Sequence, residues 1–143
     1  MSPEEKTLAR LRIEKAREAL QSAKVLRDQE LWTGAINRCY YAGFYAANAL
    51  LYTDSKWSKK HSGVRDMLNV DYVRTGVLSR ESGALFNKVF ELRLDSDYDD
   101  EFAAEPDDVT PLIARMEAFV DEVAAIVYNR TPPPLADPDG LKE

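Results

Sequence analysis

The sequence contains one cysteine, one histidine and no apolar run long enough to cross a bilayer. Each scarcity closes a class of explanation. Cys39 has no partner for an internal disulfide, which fits a reducing, cytoplasmic compartment. It lies inside an apolar helical stretch, with no histidine near it in sequence and no helix-start position to lower its pKa. That makes it a small buried hydrophobe and not a catalytic thiol. A membrane span needs about 18 or more apolar residues in succession, and none is present. No segment alternates like a strand, and no internal repeat or low-complexity block is visible. The opening Ser2-Pro3-Glu4-Glu5 reads as a helix start and not as a secretory leader: a Ser N-cap, Pro at the first helical position and acids at the positive dipole end.

What is present suits one soluble domain. Of the 143 residues, 45% are hydrophobic and 31% charged, enough for a core that needs no covalent staple. The net charge of −6 is unevenly spread. Met1–Arg93 carries 16 Lys and Arg against 11 Asp and Glu, whereas Leu94–Glu143 carries 3 against 14. The acidic part argues against nonspecific coating of duplex DNA, while the basic part leaves room for a local anion site.

The sequence is organised around Leu31–Asp54. There Tyr40, Phe44, Ala47 and Leu51 recur with the period of one helical face. Arg38, Tyr41, Tyr45 and Tyr52 form a second stripe beside it. A helix apolar over most of its circumference must be surrounded, and Ala42, Gly43, Ala46 and Ala47 let a neighbour come close. Before it, a helix running to about Arg27 carries Ala9, Ile13, Ala16, Leu20 and Ala23 on one stripe. Asp28-Gln29-Glu30 is the turn, with Thr33 as the cap of the central helix, so the two helices are antiparallel neighbours. A third helix carries Val64, Met67, Leu68 and Tyr72 and stops at Gly76; it starts after a Ser58 cap or at Ser62. Ser79 caps a fourth, with Leu85, Val89 and Leu92 as its core stripe and Phe86, Phe90, Arg93 and Asp97 alongside. A fifth starts near Asp107–Pro111, carries Leu112, Met116, Phe119, Val123 and Ile126, and stops at Asn129-Arg130 before three prolines. The fold class is therefore all-α, an up-and-down antiparallel bundle of four to five helices. Residues 1–130 form the bundle and 131–143 a Pro-rich flexible tail.

Two connectors invite chemistry. Asp95, Asp97 and Asp99 alternate as in an EF-hand loop, but Asp100 replaces the turn glycine and Pro106 stands where the bidentate Glu belongs. No metal site follows, and no cofactor is expected. Lys56-Trp57-Ser58-Lys59-Lys60-His61 joins cations to an indole and the lone histidine. It can hold a nucleotide or RNA strand by charge and stacking, or serve as a solvated connector whose Trp packs on the bundle end.

Two stretches together resemble the HEPN family, the nucleotide-binding helical domains of higher eukaryotes and prokaryotes. They are Asn37-Arg38-Cys39-Tyr40-Tyr41-Ala42-Gly43-Phe44-Tyr45-Ala46-Ala47 and Glu91-Leu92-Arg93-Leu94-Asp95-Ser96-Asp97-Tyr98-Asp99, with Lys60-His61-Ser62-Gly63-Val64 between. The match is closest to the small stand-alone prokaryotic branch. The resemblance implies a helical bundle that commonly forms a homodimer, often encoded beside a minimal nucleotidyltransferase as a toxin–antitoxin-like pair. Other members are metal-independent ribonucleases that pair an arginine with a histidine four to six residues later. Here Arg93 stands at the arginine place, but Asp97-Tyr98 follows and no histidine does.

The leading expectation is thus a nucleotide-, RNA- or partner-binding module without membrane attachment. Its polar cluster is Arg38, Tyr41, Arg93, Asp97 and Tyr98, supplemented by Lys59, Lys60 and His61. The alternative is a metal-independent endoribonuclease in which Arg93 holds phosphate and His61 or Asp97 serves as acid or base. The simplest use of Arg93 and Asp97, one helical turn apart, is an ion pair with each other.

Overall fold

Five α-helices and no strand occur among residues 1–133, the part of the chain that the computed structural model describes. They are α1 (Pro3–Asp28), α2 (Trp32–Tyr52), α3 (His61–Met67), α4 (Arg80–Tyr98) and α5 (Pro106–Arg130). Helix α2 is the axis of the bundle, packed against each of the other four. Its apolar circumference is used throughout, since Ala35, Ile36, Cys39, Tyr40, Ala42, Ala46, Ala47, Leu50 and Leu51 are all buried. The small residues permit close approach as expected. A Cβ added at Gly43 would stand 2.8 Å from Met116 Cε on α5 and 3.3 Å from the Phe86 ring on α4. Burial pushes the Cys39 thiol up to about 12, so it stays a protonated hydrophobe.

Helix α1 starts as read, with a reciprocal capping box between Ser2 and Glu5. It lays Ala9, Ile13, Ala16, Leu20 and Ala23 against the core. The return to α2 takes three residues, with Glu30 in the left-handed region at φ 59°. Thr33 is not the cap of α2. The helix begins at Trp32, with Leu31 in the cap position and no side chain bonded to the free N–H groups.

Helix α3 begins at His61, between the two expected starts, and Lys60 occupies the cap position. Beyond Met67 it does not continue as an α-helix but rewinds into a π-helical segment, Leu68–Val73. A local competition accounts for this. The Asn69 side chain donates to the Arg65 carbonyl (2.8 Å), which its own N–H would take in an α-helix, and also to Asn87 Oδ1 on α4 (2.9 Å). Gly76, at φ 82°, makes the turn that follows.

Ser79 caps α4, accepting from the Ser82 N–H. The core stripe of α4 differs from the one expected: Phe86, Val89 and Phe90 are buried, while Leu85 and Leu92 are only partly covered. Rings outweigh the leucines here because Phe86 stacks on Phe119 of α5, with centroids 5.9 Å apart, and also packs on Tyr40. Asp95 and Asp97 lie on the last turn of α4. Helix α5 starts at Pro106, a little earlier than expected. Glu105 and Asp108 form its capping box, and Pro111 lies within its first turns. Thr131 is buried and accepts from Arg10, so the chain is tied to α1 just past the helix. The rest of the expected tail, from residue 134, lies outside the described residues.

Candidate functional site

The phenolic seam at the middle of α2, the start of α3 and the last turns of α4 meet in one cluster. Tyr40 points into the core and is wholly buried. Its hydroxyl oxygen lies 2.6 Å from His61 Nδ1. The imidazole stacks on Phe44, with centroids 4.2 Å apart, and lies beside Tyr40 in a near-parallel plane with centroids 5.7 Å apart. Tyr41 meets it edge-on at 6.0 Å. From α4, the Arg93 guanidinium carbon stands 5.1 Å over the Tyr40 ring and 6.0 Å from Tyr41. Arg38 covers Tyr41 at 4.9 Å and bonds Asn37 Oδ1.

Arg93 and Asp97 do form the ion pair expected of their spacing, Nε to Oδ2 at 2.8 Å. The approach is off-line, so the buried Nε gains charge pairing without a well-directed hydrogen bond. The pair is partly solvated, and such pairs contribute roughly 0–1 kcal/mol. Its consequence is therefore orientation: Asp97 neutralises one edge of the guanidinium while the plane stays over the tyrosines.

Electrostatics favour an uncharged imidazole. Desolvation, and next the Arg93 charge, depress the His61 pKa below its ordinary 6.5. Burial is the main reason that the Tyr40 phenol is raised well above 10. At neutral pH the cluster thus holds two guanidinium groups, Arg38 and Arg93, with Asp97 paired to Arg93, beside a neutral imidazole and the protonated Tyr40 phenol.

The fold unites Arg38, Tyr41, Arg93, Asp97 and His61. Lys59 and Lys60 are exposed and, among the described residues, make no ion pair; the Lys60 backbone N–H bonds Ser58 Oγ. Tyr98 is 78% exposed and joins none of these contacts. Trp57, 61% exposed, does not pack on the bundle end. Two residues escaped the sequence reading as site residues, Tyr40 and Phe44. Their helical period marked them as core, and nothing in that pattern shows that a hydroxyl would be met by a histidine from the next helix.

A depression of about 620 Å³ lies elsewhere, between α4 and α5, and includes Leu85, Lys88, Arg115, Phe119 and Glu122. Glu122 is already committed, accepting from the Ser79 N–H and both serine hydroxyls at 2.8–2.9 Å and so capping α4. The aromatic cluster is the better candidate because it concentrates unlike chemistries in a small volume.

The HEPN domain model matches residues 9–126, nearly the whole described bundle. The chain belongs to the HEPN domain family. It is 36% identical over 115 residues to a UPF0332 protein of Thermotoga maritima, covering 80% of this chain and 87% of the relative. Two proteins of Methanocaldococcus jannaschii are named as candidate toxins. One is 36% identical over 111 residues (78% of this chain, 82% of the relative) and the other 31% over 118 residues (82% and 80%). The HEPN match spans α2, α3 and α4, and so includes every residue of the cluster. Among the described residues, no helix is long and apolar enough to cross a membrane.

Proposed function

We propose that this HEPN domain is a nucleotide-, RNA- or partner-binding module, the HEPN half of a nucleotidyltransferase-linked, toxin–antitoxin-like pair, acting as a homodimer in the cytoplasm. The observation that carries the reading is Arg93 held over Tyr40 and Tyr41 beside His61. A cation with an exposed edge, flanked by ring faces, suits a phosphate and an adjoining base. The names of the two archaeal relatives support the toxin-like part. Light scattering on the purified chain and thermal shifts with mononucleotides and short RNAs test it. A dimer stabilised by a nucleotide or RNA, with the shift lost in Arg93→Ala, is expected. A strict monomer whose melting none of these ligands moves would overturn it.

A second reading, metal-independent endoribonuclease, draws support from His61. The histidine missing after Arg93 is replaced in space by one from another helix, within reach of the same phenols. Transphosphorylation needs charge stabilisation at phosphate, which Arg93 can supply, and a proton acceptor, for which His61 and Asp97 are candidates. Incubating the protein with RNA in EDTA decides it: cleavage abolished by Arg93→Ala promotes this reading, and intact RNA removes it.

A further inference from the structure

The Tyr40–His61 contact determines which nitrogen of the imidazole carries its hydrogen. Tyr40 is enclosed, so its hydroxyl hydrogen has no water to bond, and an enclosed O–H without an acceptor costs about 1–3 kcal/mol. Among the described residues, the one partner of that hydroxyl is His61 Nδ1 at 2.6 Å. The phenol therefore donates and Nδ1 accepts. A neutral imidazole that accepts at Nδ1 bears its hydrogen on Nε2. That second nitrogen has no hydrogen-bond partner among the described residues and is not among the enclosed polar atoms. The groups around the ring are Tyr40, Tyr41 and Phe44 from α2 and the Arg93 guanidinium from α4; the nearby carboxylate, Asp97, is paired with Arg93.

We propose that Tyr40 is a positioning residue that fixes His61 as the Nε2–H tautomer, so that His61 and Arg93 together offer hydrogens to a phosphate group and the cluster does not withdraw a proton from a hydroxyl. This rests on reading the cluster as an anion site, and it separates the two functions above. A general base at His61 needs a free lone pair on the accessible nitrogen, and the Tyr40 hydrogen bond places the hydrogen there. The ligand class that fits is a phosphate ester, bound by hydrogen donation to its oxygens. Base catalysis would require the dyad to break.

Because His61 is the sole histidine in the sequence, long-range proton–nitrogen correlation on nitrogen-15-labelled protein reads one ring. At mildly alkaline pH the expected spectrum has a protonated-type Nε2 and an unprotonated-type Nδ1. The reverse pattern, or two averaged nitrogens, overturns the proposal on the unmodified protein. In Tyr40→Phe, checked for retained helicity by circular dichroism, the nitrogens are expected to average. An unchanged pattern there removes the role of Tyr40. Inorganic phosphate is then titrated into the unmodified protein, and a shift of Nε2 that is absent in Arg93→Ala is expected. If the tautomer is as stated but phosphate moves neither the ring nor the melting temperature, the anion site fails while the tautomer assignment stands.

Discussion

Two tyrosines, Tyr40 and Tyr72, are enclosed to nearly the same degree, each with an arginine near its ring. Their hydroxyls meet different partners. Tyr72 donates to Asp54 Oδ2 at 2.5 Å, and the same carboxylate oxygen accepts from Arg130 at 2.9 Å, which also bonds Thr53 Oγ1. Close by, Lys56 is paired with Asp71 at 3.0 Å. There the charges and the hydroxyl answer one another, and the network closes the end of α2 against α5. Tyr40 instead meets a neutral imidazole whose second nitrogen is unused among the described residues. Burial and an overhead cation are thus shared by both places. What separates a fastening from a candidate site is the hydrogen-bonding capacity left over after the protein has satisfied itself.

Breaking the closed network should have the largest effect on stability. Asp54→Ala removes the short acceptor of the Tyr72 hydroxyl and the charge partner of Arg130, and should cost about 1–3 kcal/mol in urea unfolding, with any phosphate response unchanged. A loss below about 0.5 kcal/mol would show that the Tyr72 hydroxyl finds another acceptor, such as the Leu50 carbonyl at 3.5 Å. Tyr40→Phe should cost less, about 0.5–1.5 kcal/mol, because the imidazole it releases can turn to water. Arg93→Ala should change stability least, by about 1 kcal/mol or less, while removing the ligand response altogether. If Arg130→Ala removed that response equally, the distinction between the two clusters would collapse.

Acid sharpens the same contrast by acting on the two clusters in different windows. The pKa of His61 is depressed in the folded protein, chiefly by desolvation, so the unfolded chain takes up its proton first. Stability should therefore begin to fall as pH drops through about 6.5, and His61→Gln should flatten that part of the profile. Asp54 is also depressed: desolvation alone would raise it, but hydrogen bonds from Tyr72 and Arg130 and the nearby positive charges prevail. Its contribution is present above its ordinary value of 3.8 and is lost only as pH falls further, through the folded value. Urea midpoints taken across both windows in the two single variants check this. A His61→Gln profile parallel to the parent between neutral pH and about pH 5 would contradict the reading of a buried, neutral ring.

Much of the fold was legible because helical period and punctuation agreed. Ala9, Ile13 and Ala16 on α1, and Met116, Phe119 and Val123 on α5, are buried as their spacing required. Ser2 and Ser79 cap where they stand. Errors arose where side chains competed with the backbone or with one another. The cap position fell at Leu31, two residues before Thr33, the Asn69 side chain bonded the Arg65 carbonyl where the helix rewinds, and the rings of Phe86 and Phe90 took the core in preference to Leu85 and Leu92. The candidate site was readable only in pieces. The stripe of Arg38 and Tyr41 and the i, i+4 spacing of Arg93 and Asp97 are local and visible in sequence. The step from Tyr40 to His61 spans 21 residues and a reversal of the chain, and no local pattern encodes it.

By itself the sequence determined five amphipathic helices, their order, the central place of Leu31–Asp54 and the ion pair within α4, because each depends on neighbours at most a turn or two away. Only the tertiary structure decided that the lone histidine would face a buried phenol beneath Arg93, with its second ring nitrogen unbonded among the described residues. The position of α3 follows from its packing on α2 and from the Asn69–Asn87 contact that seats the π-helical segment after it against α4, and packing of that kind is a property of the assembled core.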